Sequence, residues 1–153
     1  MHAERLKLAK ELGATHTINP ADGDVVEQVK AISSSGVQFA IETTGNPKVL
    51  RSAFDILQVR GVCGLIGGSK LGTEVSLDMT HLLFGRTVRG ILQGDSNPKK
   101  FIPQLIEHYQ AGRFPVEKLI THYSFADINI AIADMKSGKT IKPVLEMFQR
   151  RAG

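Results

Sequence analysis

The chain has one cysteine, Cys63, no tryptophan, and only 6% aromatic residues. A single thiol closes no internal disulfide and builds no multi-cysteine zinc site. So few aromatics provide no stacking surface for single-stranded nucleic acid. No apolar run approaches the roughly 20 residues that span a bilayer, and no leader-like segment precedes the first helical pattern, so a cytoplasmic protein with no membrane or nucleic-acid partner is expected. The sequence also lacks G-x-G-x-x-G, G-x-x-x-x-G-K-[ST], G-x-S-x-G and H-E-x-x-H, which leaves no motif for a phosphate loop, a nucleophile elbow or a zinc protease. Nineteen Lys and Arg against fifteen Asp and Glu give a net charge of +4, a balance that favours anionic ligands without naming one.

Hydrophobic residues make up 42% of 153 residues, enough for one ordinary domain to close a core unaided. Their spacing alternates between helical and extended periods. Leu8, Ala9 and Leu12 share a helical face that Gly13 ends, and Thr15-His16-Thr17-Ile18 then reads as a short strand stopped by Asn19-Pro20. Val25, Val26, Val29 and Ile32 form a second helical stripe before the Ser33-Ser34-Ser35-Gly36 stop. The run VQFAI, residues 37–41, predicts a strand; Val49, Leu50, Ala53, Phe54 and Leu57 predict the helix after it. Residues 61–68, GVCGLIGG, read as a buried strand opening into glycines at its end. Residues 73–77 alternate polar and apolar side chains as an edge strand does, and a short helix over 78–84 and a strand over 87–92 follow. Asn97-Pro98 opens a helix carrying Phe101, Ile102, Leu105, Ile106 and Tyr109, in which Pro103 is tolerated only near its start. Ser124 and Asp127 have capping-box spacing ahead of a helix ended by Gly138, and residues 141–145 close as an extended segment that Pro143 confines to an edge. This alternation predicts an α/β fold with a Rossmann-like, mostly parallel sheet and helices on both faces. Such sheets bind ligands beyond the C-terminal ends of their strands, here the loops at 43–47, 67–70 and 92–96.

Chemistry-bearing residues are sparse. Gly61, Gly64, Gly67 and Gly68 serve a turn, close packing and a bend at a strand end rather than a phosphate cradle. His2, His16, His81, His108 and His122 have no metal-ligand spacing. Cys63 lies within an apolar strand, where a thiol is inert. The carboxylates read as solvated helix faces or caps, and Arg86, Arg89, Lys99-Lys100 and Arg150-Arg151 as surface charge. Lys142 stands apart, inside the last apolar segment, as a single candidate anion contact.

Taken in order, ERLKLAKELGATHTINP, VQFAIETTGNPKVL, GVCGLIGG, LLFGRTVRGILQGDSNPKKFIPQLIEHYQAGRFP and GKTIKPVLEM closely resemble the nicotinamide-binding half of zinc-dependent medium-chain alcohol dehydrogenases, nearest the aryl or benzyl alcohol subgroup. The resemblance covers almost the whole chain. It implies an incomplete Rossmann-like domain over residues 1–153. Absent are the N-terminal catalytic domain, the first two strands, the Gly-rich pyrophosphate turn and the acidic residue that ends the second strand. In a sheet ordered 3-2-1-4-5-6, that loss leaves the 15–18 strand without its neighbour and the next strand with an open edge, so an altered sheet or a swapped oligomer is expected.

By the same resemblance, Arg5 approaches the adenosine ribose, and Thr43, Thr44 and Gly45 lie beside the adenine and its ribose. Ile66 and Gly67, with Ile91 and Gln93, face the nicotinamide carboxamide, and Lys142 pairs with the pyrophosphate. Segment 73–77 corresponds to the place where family members join sheets across a two-fold, which implies a homo-oligomer. The implied cofactor is NAD, with NADP left open and weak binding expected from this chain. Zinc belongs to the missing domain. The implied parent reaction is hydride transfer between an alcohol, aromatic in the nearest subgroup, and NAD, giving the aldehyde, with this chain non-catalytic alone. A stand-alone nucleotide- or protein-binding module is the alternative.

Overall fold

The computed structural model describes residues 3–147, in two compact units, Ala3–Ser96 and a second beginning at Asn97. His2 and Arg150-Arg151 lie outside the described residues. No described helix is long and apolar enough to cross a membrane.

In the first unit α1 spans Ala3–Glu11. Residues 15–18, expected as a strand, pair with no strand among the described residues. β-favouring side chains do not make a strand without a ladder to satisfy the extended backbone. The Asp24 carboxylate accepts from the Glu27 N–H at 2.9 Å and opens α2, Val25–Ile32. Then come β1 (Val37–Glu42), α3 (Pro47–Asp55), β2 (Leu57–Leu65), α4 (Met79–Leu83) and β3 (Thr87–Gly90). The sheet order is β1-β2-β3, and both pairings are parallel, with Glu42 opposite Leu65 and Leu65 opposite Gly90.

Two sequence expectations change here. Leu57 belongs to β2 rather than to the helix before it, because α3 ends at Asp55. Arg60, at φ 64°, bulges β2, and the register with β1 slips between Val37 and Phe39. Leu57 still buries its side chain with Leu50, Phe54 and Cys63 in the core of this unit. Segment 73–77 carries no ladder, so it is not a strand in the single chain. Its alternation is nonetheless expressed, because Val75 and Leu77 pack on the same core while the Ser76 carbonyl accepts from Arg51 Nη1 at 2.9 Å.

The second unit contains α5 (Pro98–Gln110), which carries Pro103 in its body, β4 (Ile120–Ser124), α6 (Ile128–Ser137) and β5 (Lys142–Glu146). The sequence pattern did not reveal β4; it pairs in parallel with β5, Thr121 opposite Pro143. Ser124 Oγ accepts from the Ala126 N–H at 3.3 Å, so it caps a 3-10 turn ahead of α6 rather than closing a capping box. Asp134 Oδ2 accepts from Tyr123 Oη at 2.9 Å and from Lys139 Nζ at 2.8 Å, and the Tyr123 bond ties β4 to α6. The Lys139 bond, then the Tyr123 bond, hold the Asp134 carboxyl below its usual range. The architecture is therefore α/β, with parallel strands flanked by helices.

Candidate functional site

Because β1, β2 and β3 run in parallel, the loops after them emerge at one edge of the sheet. That edge collects Thr43, Thr44, Gly45, Ile66, Gly67, Ile91 and Gln93, seven of the nine residues singled out in the sequence. Arg5 stands exposed in the first turn of α1, and exposed Lys142 begins β5 in the second unit.

The first two loops meet backbone to backbone. A Cβ on Gly67 would be driven into the Gly45 nitrogen and would lie 2.7 Å from the Thr43 carbonyl carbon and the Thr44 nitrogen. Gly45, at φ +67°, would likewise meet the Gly68 carbonyl. Only glycine allows this approach, and the Ser69 hydroxyl adds a bond to the Gly45 carbonyl. The third loop joins by the Ile91 N–H, which donates to the Leu65 carbonyl at 2.9 Å. After it Gln93 and Asp95, at φ 50° and 51°, form a left-handed turn that non-glycine residues adopt at some cost.

Glu42, the last residue of β1, ties these loops together and is not the solvated carboxylate that the sequence pattern suggests. It is 1% exposed. Its carboxylate accepts from the Thr44 N–H at 2.6 Å, the Gly45 N–H at 2.9 Å and the Thr44 hydroxyl. Its carbonyl accepts from the Ile66 N–H at 2.9 Å and the Gly67 N–H at 3.1 Å. Burial opposes the charge, but the Thr44 hydroxyl and the two loop N–H groups outweigh it and hold the carboxyl below its ordinary value. An acidic residue closing an apolar strand directly before Thr-Thr-Gly was the available signal, since a carboxylate there reaches the N–H groups two and three residues on.

Beside these loops lies a cleft of about 260 Å³, lined among others by Gly45, Pro47, Leu50, Leu65, Gly67 and Val75. It has room for a ring-sized group. At the other end of the strands a polar cleft of about 590 Å³ includes Arg51, Asp55, His81 and Arg86, but its charges are largely spent internally. Arg51 Nε binds Asp55 at 2.7 Å, and Arg86 caps α3 through the Phe54 and Asp55 carbonyls, both at 3.2 Å. Cys63 is fully buried, and burial pushes its thiol up, which makes it a poor nucleophile. Among the described residues no three His, Cys, Asp or Glu side chains gather into a metal site.

A family model described as zinc-binding dehydrogenase matches residues 1–111. Geraniol dehydrogenase of Castellaniella defragrans is 39% identical over 146 residues, 94% of this chain and 39% of that protein. The crystal structure of benzyl alcohol dehydrogenase from Acinetobacter calcoaceticus superposes with a TM-score of 0.92 at 42% identity, over 97% of this chain and 41% of that one. An alcohol dehydrogenase zinc-binding domain protein from Burkholderia ambifaria gives 0.91 at 46% identity, over 97% of this chain and 40% of that one. The chain thus spans about two fifths of the length of these relatives, 39% to 41%.

Proposed function

The chain belongs to the zinc-binding dehydrogenase family, and from that premise we propose that the sheet edge at 43–45, 66–67 and 91–93 is the cofactor shelf of an alcohol dehydrogenase. The observation that carries the reading is the backbone approach of Gly45 and Gly67. It locks the two loops together beside an apolar cleft, at the end of a parallel sheet where dinucleotides bind. In this reading residues 1–153 are part of a nicotinamide-binding domain. Thr43, Thr44 and Gly45 take the adenosine end; Ile66, Gly67, Ile91 and Gln93 line the nicotinamide end. Arg5 serves the ribose and Lys142 the pyrophosphate. NAD, when bound, supplies the hydride acceptor for alcohol oxidation.

The described residues assemble no metal site, so zinc and the alcohol are assigned to polypeptide beyond this chain, and the chain alone is proposed to be non-catalytic. Its affinity for NAD is expected to be weak, since the sequence contains no G-x-G-x-x-G turn to present a helix N-terminus to the phosphates. Self-association is also proposed, supported by Met79 and Leu83, each 82% exposed, beside the unpaired 73–77 segment. A second reading, a non-catalytic protein-binding module, draws on Phe39 and Ile41, 74% and 66% exposed on β1.

Titration of the purified chain with NADH, followed by nicotinamide fluorescence, separates the two. Saturable binding that Lys142→Ala weakens supports the shelf. A folded chain that leaves the fluorescence unchanged at every concentration favours the module.

A further inference from the structure

We infer that Glu42 is the positioning residue of this shelf, the single side chain through which β1 sets the shape of the loop that would face a bound dinucleotide; the inference rests on the cofactor reading above. Glu42 is buried and therefore acts on the ligand only through the loops. Three donors converge on its two oxygens, the Thr44 N–H, the Gly45 N–H and the Thr44 hydroxyl. All three need an acceptor. An ionised carboxylate offers only acceptors, whereas an amide would turn an NH2 group toward at least one of these donors.

The same residue holds the second loop by its carbonyl, which takes both the Ile66 and Gly67 N–H groups. Side chain and backbone of one residue thus clamp residues 44–45 and 66–67. The clamp keeps Gly45 in the left-handed conformation that Gly67 packs against. It also commits both loop N–H groups inward, and α3 adds little in their place: Pro47 has no N–H, and the Lys48 N–H is taken by Asn46 Oδ1 at 2.9 Å. Phosphate is therefore not expected to bind at this loop, which leaves it to the neutral parts of the cofactor.

The test compares Glu42→Gln with the unaltered chain by amide hydrogen exchange, NADH titration and circular dichroism. In a folded Glu42→Gln chain, exchange at Thr44 and Gly45 is expected to quicken, and NADH affinity to fall, each by roughly tenfold or more, the scale of one lost charge-assisted hydrogen bond. Exchange at β2 and β3 stays protected. Unchanged exchange at Thr44 and Gly45 overturns the inference, as does faster exchange with undiminished NADH affinity. If Glu42→Gln fails to fold, Thr44→Val, which removes one donor, is judged by the same two readouts, with Thr44→Ser expected to restore both. An unaltered chain that does not bind NADH overturns the cofactor reading and with it the positioning role, whereas loss of binding confined to the variants overturns neither.

Discussion

The carboxylate of Glu42 keeps its charge at 1% exposure, because three donors replace the water it has lost. Its folded pKa lies below the ordinary glutamate value of 4.5. A depressed carboxylate stabilises the fold fully above the unfolded value, and the contribution is lost as pH falls through the folded one. The stability difference between the unaltered chain and Glu42→Gln is therefore expected to be large at neutral pH and to shrink steadily below about pH 4.5. Urea unfolding of both chains across that range checks it, and a pH-independent difference would refute the charge assignment. At this scale the sequence was legible where burial alone decides, as for Cys63, read as inert and found fully buried. At Glu42 it was legible only in part: the Thr-Thr-Gly that follows permits bonds to the N–H groups two and three residues on, but the burial that removes water from the carboxylate comes from packing that no local pattern shows.

Among the elements, helices read best. Caps at Asp24, Asn46, Asp78 and Asn97 and the left-handed Gly138 are set by residues within a few positions of each end. Strands read less well because each needs a partner from elsewhere. Residues 15–18 have the composition of a strand without a ladder, whereas β4 acquires one from β5 without having announced itself. Segment 73–77 keeps a period of two from packing alone. Pro103 sits five residues into α5, further than its ring suits, and deprives the Lys99 carbonyl of the N–H that would bond it. An interior proline costs a helix about 3 kcal/mol, of which its effect on the unfolded chain returns roughly 0.4–1 kcal/mol. Pro103→Ala is expected to stabilise the second unit by about 2 kcal/mol, read as a higher denaturant midpoint by circular dichroism. An unchanged or lower midpoint would mean that the backbone bond missing at Pro103 is compensated from outside the helix.

For the whole molecule, the resemblance read in the sequence and the superposition agree on one family and one fold, at a TM-score of 0.92 with benzyl alcohol dehydrogenase from Acinetobacter calcoaceticus. Large apolar side chains nevertheless remain in solvent, Met79 and Leu83 on α4 and Phe39 and Ile41 on β1. Contiguous exposed apolar surface marks an interface more often than chance. Light scattering of the purified chain is expected to return a multiple of the single-chain mass, and Leu83→Glu to lower it by placing a charge on that surface. A single-chain mass for the unaltered protein would remove the proposal of self-association.

The order of helices, most strands and the sheet edge that carries the candidate site follow from the sequence alone, because periodicity, caps and glycine stops act over a few residues and parallel strands place their loops at one end. The tertiary structure alone decided which extended segments found ladder partners, that Gly45 and Gly67 meet backbone to backbone, and that Glu42 is buried beneath them. Each of these depends on groups far apart in the chain, whose approach no local pattern encodes.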